Sequence, residues 1–144
     1  ALQSYTNAIL KAPRCYPAYA RLARTYYRAH DFDRAIQTLR EGLRVAPEGV
    51  VERGSMHNLL GNVLLEQGHH EEEAVQEFLA AHREDTELAE ALFSAGYTLA
   101  EMPGKQQEAI LYLQRFVEAR GGNAPREYLD IAQNRLAELQ NPAH

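Results

Sequence analysis

Few residues of this sequence have the types and the spacing that chemistry requires. The run from His69 to Glu73 joins two histidines to three glutamates, all of them metal-ligating residue types. Adjacent residues of a helix point about 100° apart, however, and cannot converge on one ion unless a loop wraps around it. A solvated turn entering a helix explains the run, since glutamates in a first turn complement the helix dipole. We predict no metal site and no cofactor.

The sequence also lacks the patterns of catalytic sites. It contains neither a glycine-rich phosphate loop nor a G-x-S-x-G motif, and its single cysteine, Cys15, has no neighbouring base. His30 and His82 fall near predicted helix ends, where a cationic tendency is favourable without any catalytic role. His57 takes the place of a large packed residue. We predict that the protein is not an enzyme.

Composition and charge narrow the classes of partner. The chain has 144 residues, 45% hydrophobic residues and a net charge of −5. An acidic balance argues against general nucleic-acid binding, which needs a basic face, and no apolar run approaches the ~20 residues of a membrane span. Basic residues nevertheless outnumber acidic ones between residues 11 and 44. They are Lys11, Arg14, Arg21, Arg24, Arg28, Arg34, Arg40 and Arg44, against Asp31, Asp33 and Glu41.

The elements that position these side chains are helices in pairs. A first helix is predicted by apolar residues at i, i+3, i+4 and i+7, and a break follows at His30-Asp31, where Asp31 can accept hydrogen bonds from the next turn. A second apolar face then runs to Pro47, which closes the unit. The first face consists of Tyr19, Leu22, Ala23 and Tyr26, and the second of Ala35, Ile36, Leu39, Gly42 and Leu43.

The order of these residues resembles the tetratricopeptide repeat, a helical hairpin with a period of 34 residues. Tyr19 stands for the family's tryptophan and Leu39 for its phenylalanine, while Ala23 and Gly42 exchange alanine and glycine. The resemblance implies an all-α fold, a right-handed α-solenoid of antiparallel helix hairpins. It also implies a non-enzymatic scaffold for protein–protein interaction.

The resemblance extends over residues 1–144 as a single domain of repeats. Residues 1–15 form a half repeat, because Ala1, Tyr5, Ala8, Ile9 and Pro13 match the second helix at an offset of 34. Such a start suggests a fragment of a longer protein. Full repeats are expected at 16–49, 54–88 and 89–123, with a capping helix at 125–140. The first helix of the second repeat is expected to begin at Ser55. In the third repeat, Phe116 occupies a position where the family pattern has a small residue.

The resemblance also places the binding surface, because first helices line the inner groove in this family. The asparagines can donate to and accept from an extended peptide, the arginines offer a charged anchor, and the aromatic residues offer packing. The predicted partner-binding residues are Arg24, Tyr27, Arg28, Asn58, Asn62, Glu66, Phe93 and Tyr97.

One specific family function is predicted to be absent. Members that grip the C-terminal carboxylate of Hsp70 or Hsp90 use lysine, asparagine and arginine in the groove. The corresponding positions here are Ala20, Arg24, Leu59, Glu90 and Ser94. Glu90 would repel the carboxylate, so we predict no carboxylate clamp.

Two functions follow from the sequence. The first is a module that holds a peptide or helix of a protein partner in its groove, with the partner's acidic end toward Arg24 and Arg28. The alternative is a self-assembling structural subunit that pairs through an exposed apolar edge as a homo-oligomer. The compartment stays open: we expect a cytoplasmic protein, with a periplasmic or exported one where a signal has been removed.

Overall fold

A computed structural model describes residues 2–12 and 14–141, so the predicted matches at Ala1 and Pro13 lie outside the described residues. Within those two ranges the chain forms eight α-helices and no strand, and the predicted fold class, all-α built from antiparallel helix hairpins, is confirmed. The helices are α1 (Leu2–Lys11), α2 (Tyr16–Arg28), α3 (Phe32–Val45), α4 (Val51–Gln67), α5 (Glu71–Glu84), α6 (Ala89–Ala100), α7 (Gln106–Glu118) and α8 (Arg126–Gln140).

The chain divides into two compact units, Ala1–Asp85 (unit 1) and Thr86–His144 (unit 2). Unit 1 contains helices α1 to α5, in which the hairpins α2–α3 and α4–α5 pack against each other and α1 packs against α2. Unit 2 contains the hairpin α6–α7 and helix α8, which packs against both of them. The predicted single domain and its repeat boundaries stay a prediction.

Local sequence explains the first hairpin. The Asp31 side chain accepts a hydrogen bond from the backbone N–H of Arg34 at 3.3 Å, which confirms the predicted helix cap. His30, just before it, has a φ of 59°, and this left-handed residue turns the chain between the two helices.

The core of unit 1 depends on close approach between helices. Phe78 of α5 is fully buried against Gly61 of α4. A Cβ atom built on Gly61 would lie 2.5 Å from Cε1 of Phe78, so no larger residue fits without a shift of the ring. Gly42 has the same role toward Tyr19 and Met56, since a Cβ there would lie 2.8 Å from the Cβ of Tyr19. The small residues of the repeat pattern are therefore contact points between helices.

The core of unit 2 is aromatic. Phe116 of α7 is fully buried, and its ring centre lies 5.3 Å from that of Phe93 on α6. Helix α8 covers this core with Ala132 and Leu136, which are 0% and 8% exposed. Packing between α6, α7 and α8 thus accommodates a large residue at a position where a small one was expected.

The predicted start of the fourth helix at Ser55 is wrong. Helix α4 begins at Val51, and Gly54 is already buried inside it. A Cβ atom on Gly54 would lie 2.8 Å from the Cβ of Asp85, so the extra turn packs against the end of α5. The residues between the first two repeats therefore lengthen a helix.

Arg53 gives the physical reason for this longer helix. Its Nη1 donates to the carbonyl oxygens of Leu43 at 2.6 Å and Ala46 at 3.0 Å, at the C-terminal end of α3. Its Nε donates to the Glu84 carboxylate at 3.1 Å. Helix ends leave carbonyl groups without partners, and this side chain supplies donors for two of them while it joins α3, α4 and α5.

Candidate functional site

Helices α2 and α4 are the first helices of their hairpins and contact each other in unit 1. The structure therefore places most of the predicted binding residues on two neighbouring helices. Those on α2 are Arg24, Tyr27 and Arg28, and those on α4 are Asn58, Asn62 and Glu66.

Tyr27 and Glu66 bind each other across these two helices. The Tyr27 hydroxyl donates to Oε1 of Glu66 at 2.5 Å. This hydrogen bond, with partial burial and the negative charge of Glu66, raises the pKa of Tyr27 to about 12. The sequence predicted both residues as partner contacts. Their mutual bond also gives them a structural role, which is to fix the C-terminal ends of α2 and α4 relative to each other.

The two arginines of the predicted site have no such partner. Arg24 and Arg28 are exposed, as is Arg21 one turn before Arg24. Residues three, four and seven positions apart share a helix face, so these three side chains form one basic strip, which we name the arginine face. Within the described part of the chain, none of these three side chains forms a hydrogen bond or an ion pair.

The three arginines of α3 and Arg53 of α4 are paired. Arg40 reaches Glu73 at 2.6 Å and Arg44 reaches Glu41 at 2.7 Å, while Arg34 and Arg53 pair with Asp31 and Glu84. Its lack of carboxylate partners sets the arginine face apart from the arginines of α3 and α4. Arg14 and Arg83 are also unpaired among the described residues, but they lie outside α2.

Asn58 and Asn62 are half-buried on α4. The Oδ1 atom of Asn58 is shielded from solvent and accepts no hydrogen bond from a described residue. The sequence predicted that both halves of this amide would serve a partner, but in this arrangement its acceptor is turned away from any ligand. Asn62 has no such shielded atom among the described residues.

The two predicted aromatic residues of unit 2 differ in exposure. Phe93 is 8% exposed and stacks on Tyr128 of α8, with ring centres 4.5 Å apart. It belongs to the core, because α8 covers the side that the sequence assigned to a partner. Tyr97 is 41% exposed and stacks on Phe93 at 5.5 Å, which makes it the outer member of this aromatic group.

Tyr97 also lines a pocket that the sequence did not predict. The pocket has a volume of about 220 Å³ and lies between α6 and α8. The sequence predicted α8 only as a capping helix, yet three of its polar residues, Asn134, Arg135 and Glu138, line this pocket. The signal in the sequence that could have indicated this pocket is the apolar Ile131, four residues before Arg135. The lining residues are Tyr97, Glu101, Ile131, Asn134, Arg135 and Glu138.

A larger cleft of about 520 Å³ in unit 1 lies along α3, the end of α4 and the start of α5. Polar contacts of the protein itself cross it. Arg40 donates to Glu73 at 2.6 Å, and Gln67 donates to Asp33 at 2.7 Å. These contacts join α3 to α4 and α5, so the polar groups that line the cleft hold the two hairpins together.

The histidine-rich residues form no metal-binding cluster among residues 2–12 and 14–141. His70 lies 3.8 Å from Glu73, and Nδ1 of His57 lies 2.6 Å from Oε2 of Glu77. The His57 side chain is 15% exposed, which agrees with its prediction as a packed residue. Within the same ranges, none of the helices combines the length and the hydropathy that crossing a bilayer requires.

Paired helices with glycines at their crossings and a surface along the first helices define a helical-repeat protein of the type that binds other proteins. The sequence profile of the tetratricopeptide repeat matches residues 1–49 and 20–89. The chain belongs to the tetratricopeptide repeat family. Proteins of this family and fold are typically non-enzymatic interaction modules.

Solved structures share the fold at low sequence identity. The crystal structure of MamA superposes with a TM-score of 0.71 and 15% identity, over 99% of this chain and 88% of that one. YrrB, described as a TPR protein with an unusual peptide-binding site, superposes with a TM-score of 0.70 and 22% identity, over 99% of this chain and 77% of that one. A sequence comparison with curated proteins gave no match.

Proposed function

We propose that the protein binds an acidic segment of a protein partner along α2 and α4, with the segment's carboxylates against the arginine face. The observation that carries this proposal is that Arg21, Arg24 and Arg28 share one face of α2 with unpaired side chains, whereas all three arginines of α3 are paired. Acidic residues outnumber basic ones in the chain, 20 against 15. Unpaired arginines on one helix face are therefore not explained by a shortage of carboxylates.

The chemistry of the surface suits a peptide. A guanidinium binds a carboxylate through two parallel hydrogen bonds, which fixes orientation as well as charge. Asn62, on the neighbouring helix, can donate to and accept from a peptide backbone. The bond between Tyr27 and Glu66 fixes the two helices in advance, so less ordering is needed when the segment binds. The described peptide-binding site of YrrB supports the same class of partner.

The proposal concerns unit 1 alone, and the two predicted residues of unit 2, Phe93 and Tyr97, stay predictions. Tyr97 is 41% exposed and can contact a partner, whereas Phe93 is packed under α8. The absence of a carboxylate clamp for Hsp70 or Hsp90 tails also stays a prediction, and calorimetry with such a tail peptide tests it.

The experiment is a selection from a displayed library of random peptides, followed by calorimetry with the selected sequences. We expect enrichment of aspartate and glutamate. The double variant Arg24→Glu/Arg28→Glu should weaken binding about 10- to 100-fold, because attraction is replaced by repulsion. Arg34→Glu/Arg44→Glu is the matched control, with the same change of charge on α3. Peptides without acidic bias, or equal losses in both double variants, would contradict the proposal.

A second candidate function, self-assembly, is favoured by helix α1. This helix has no buried residue, and Leu2 and Leu10 are 41% and 74% exposed. Contiguous exposed apolar patches mark surfaces that associate, and self-assembly requires that Leu2 and Leu10 form part of such a patch. Light scattering at several concentrations separates the two functions. A peptide binder stays monomeric without its ligand, whereas the apparent mass of a self-assembling subunit rises with concentration.

A further inference from the structure

The pocket between α6 and α8 in unit 2 combines apolar walls with an acidic rim. Its walls are Tyr97 and Ile131, which are 41% and 39% exposed and are among the most exposed large apolar residues described. The Tyr97 ring is held by its stacking on Phe93, at an interplanar angle of 27°. The pocket therefore presents a fixed aromatic ring beside an aliphatic side chain.

The rim carries more negative than positive charge. Glu101 and Glu138 are each 64% exposed, and Arg135 is the one cation among the six lining residues. Arg135 donates to Glu138 at 2.8 Å and to Glu101 at 2.9 Å. The hydrogen bond to Glu138 and the charges of both carboxylates raise the pKa of Arg135. One guanidinium shared by two carboxylates leaves the pocket with a net negative charge.

The helix ends strengthen this bias. Helix α6 ends at Ala100 and α8 ends at Gln140, so the pocket lies at the C-terminal part of both helices. Unpaired carbonyls give such ends a partial negative charge that favours cations. Arg135 approaches one of them, the carbonyl oxygen of Ala100, at 3.3 Å. Its Nε atom is shielded from solvent, so an incoming anion cannot reach this donor.

We propose that the pocket between α6 and α8 receives a lysine or arginine side chain of a protein partner. The methylene groups of that side chain lie along Tyr97 and Ile131, and its charged end lies against Oε2 of Glu101 and Oε1 of Glu138, the carboxylate oxygens that Arg135 does not bind. Long cationic side chains bury their stems on apolar surface while the head stays near charge and solvent, and a cation is also attracted to an aromatic ring. That the cation comes from a protein partner rests on the proposed function.

The test uses nuclear magnetic resonance on the whole chain with three small probes at constant ionic strength. The probes are Nα-acetyl-lysine methylamide, its neutral Nε-acetylated analogue and acetate. We expect the charged lysine probe to shift the Tyr97 ring and Ile131 methyl signals, and the neutral analogue and acetate to leave them nearly unchanged. Equal shifts with the neutral analogue, larger shifts with acetate, or no shift with the lysine probe would each overturn the proposal.

Two variants test the charges of the pocket, one by removing a carboxylate and the other by removing the arginine. Glu138→Gln should weaken binding of the lysine probe about threefold to fivefold, the effect of one exposed charge pair. Arg135→Met should strengthen it, because the competing cation is gone. Glu118→Gln on α7, an exposed position outside the pocket, is the matched control and should change nothing. Circular dichroism verifies that each variant is folded, and equal effects of Glu138→Gln and Glu118→Gln would refute a site at this pocket.

The outcome is separable from that of the proposed function. The lysine probe reports on residues of unit 2, whereas Arg24→Glu/Arg28→Glu changes residues of unit 1. If the pocket binds the lysine probe and the arginine face binds no acidic peptide, the pocket stands and the acidic partner is rejected. The reverse result would reject the pocket alone.

Discussion

The two units use their arginines in different ways. In unit 1, Arg24 and Arg28 extend from α2 without a carboxylate partner among the described residues. In unit 2, Arg135 of α8 lies between Glu101 and Glu138, both within 3 Å of its guanidinium, with 25% of its side chain exposed. Unit 1 presents unpaired arginines on one helix face, and unit 2 encloses one arginine between two carboxylates.

This difference shows that net charge is a poor guide to what a repeat surface can bind. Exposed ion pairs contribute little to stability, so an unpaired arginine is tolerated at low cost and stays available to a ligand. An arginine that also donates to a helix end has a structural role. Where two carboxylates surround one such arginine, the site as a whole is negatively charged. The arginine face of unit 1 is therefore the surface that we propose for acidic ligands, and the pocket of unit 2 is the one that we propose for basic ligands.

The largest expected effect concerns the cores of the two units. Phe116→Ala removes a fully buried ring of unit 2, and Phe78→Ala does the same in unit 1. Each should lower the free energy of unfolding by about 3–5 kcal/mol. Hydrogen exchange should show lost protection in α6 to α8 for the first variant and in α2 to α5 for the second. Equal loss over all helices in both variants would mean that the two units unfold as one.

A smaller effect is expected for the two arginines that reach helix ends. Arg53→Met removes donors from the carbonyls of Leu43 and Ala46, bound at 2.6 and 3.0 Å, and should cost about 1.5–3 kcal/mol. Arg135→Met loses only a 3.3 Å contact to one carbonyl and two exposed carboxylate pairs, and should cost about 0.5–1.5 kcal/mol.

Urea denaturation measures both arginine variants. Arg34→Met, at an exposed arginine paired with Asp31, is the control and should change stability by less than about 0.5 kcal/mol. A cost for Arg135→Met that matched or exceeded that of Arg53→Met would show that the two units depend equally on this kind of contact.

The smallest effect concerns the tyrosines of the first helices. The pKa of Tyr27 is raised from 10.0 to about 12, so the folded state holds the proton more tightly than the unfolded state. The resulting stability is complete below pH 10 and is lost as the pH rises through about 12. Tyr27→Phe should lower stability at neutral pH by about 0.5 kcal/mol, since the bond is partly exposed, and should remove this pH dependence.

Tyr97→Phe is the matched control in unit 2, because the Tyr97 hydroxyl makes no hydrogen bond with a described residue. It should leave the free energy of unfolding unchanged at neutral pH. Denaturation curves between pH 9 and pH 12 measure the pH dependence. If the free energy of unfolding of the wild type changed with pH as it does in Tyr27→Phe, the hydrogen bond to Glu66 would be ruled out as the source of the pH dependence.

Much of the fold could be predicted because its signals are local. The apolar positions of the first hairpin are buried as expected, with Ala23, Ala35 and Leu39 at 0% exposure. The Asp31 cap depends on residues three apart in sequence and was also predicted. The start of α4 was not, because it depends on Arg53 reaching carbonyls of the preceding helix, a contact that no periodicity encodes.

The candidate site was predicted less well, and for the same reason. Arg24 and Arg28 are exposed as expected, since helical spacing alone places them on a polar face. Phe93 and Tyr97 are four residues apart, as Arg24 and Arg28 are, but Phe93 is buried because Tyr128 of α8 stacks on it. The bond between Tyr27 and Glu66 joins residues 39 positions apart, and the distance between their helices decides it.

The sequence by itself determined the helices, their pairing into hairpins and the small residues at their crossings, because a period of 3.6 residues and the repeat spacing encode these directly. The tertiary structure alone decided which polar side chains stay free and which are consumed. It enclosed Arg135 between two carboxylates and left Arg24 without one. The physical reason is that ion pairs and stacked rings form between helices, where positions depend on how whole helices pack.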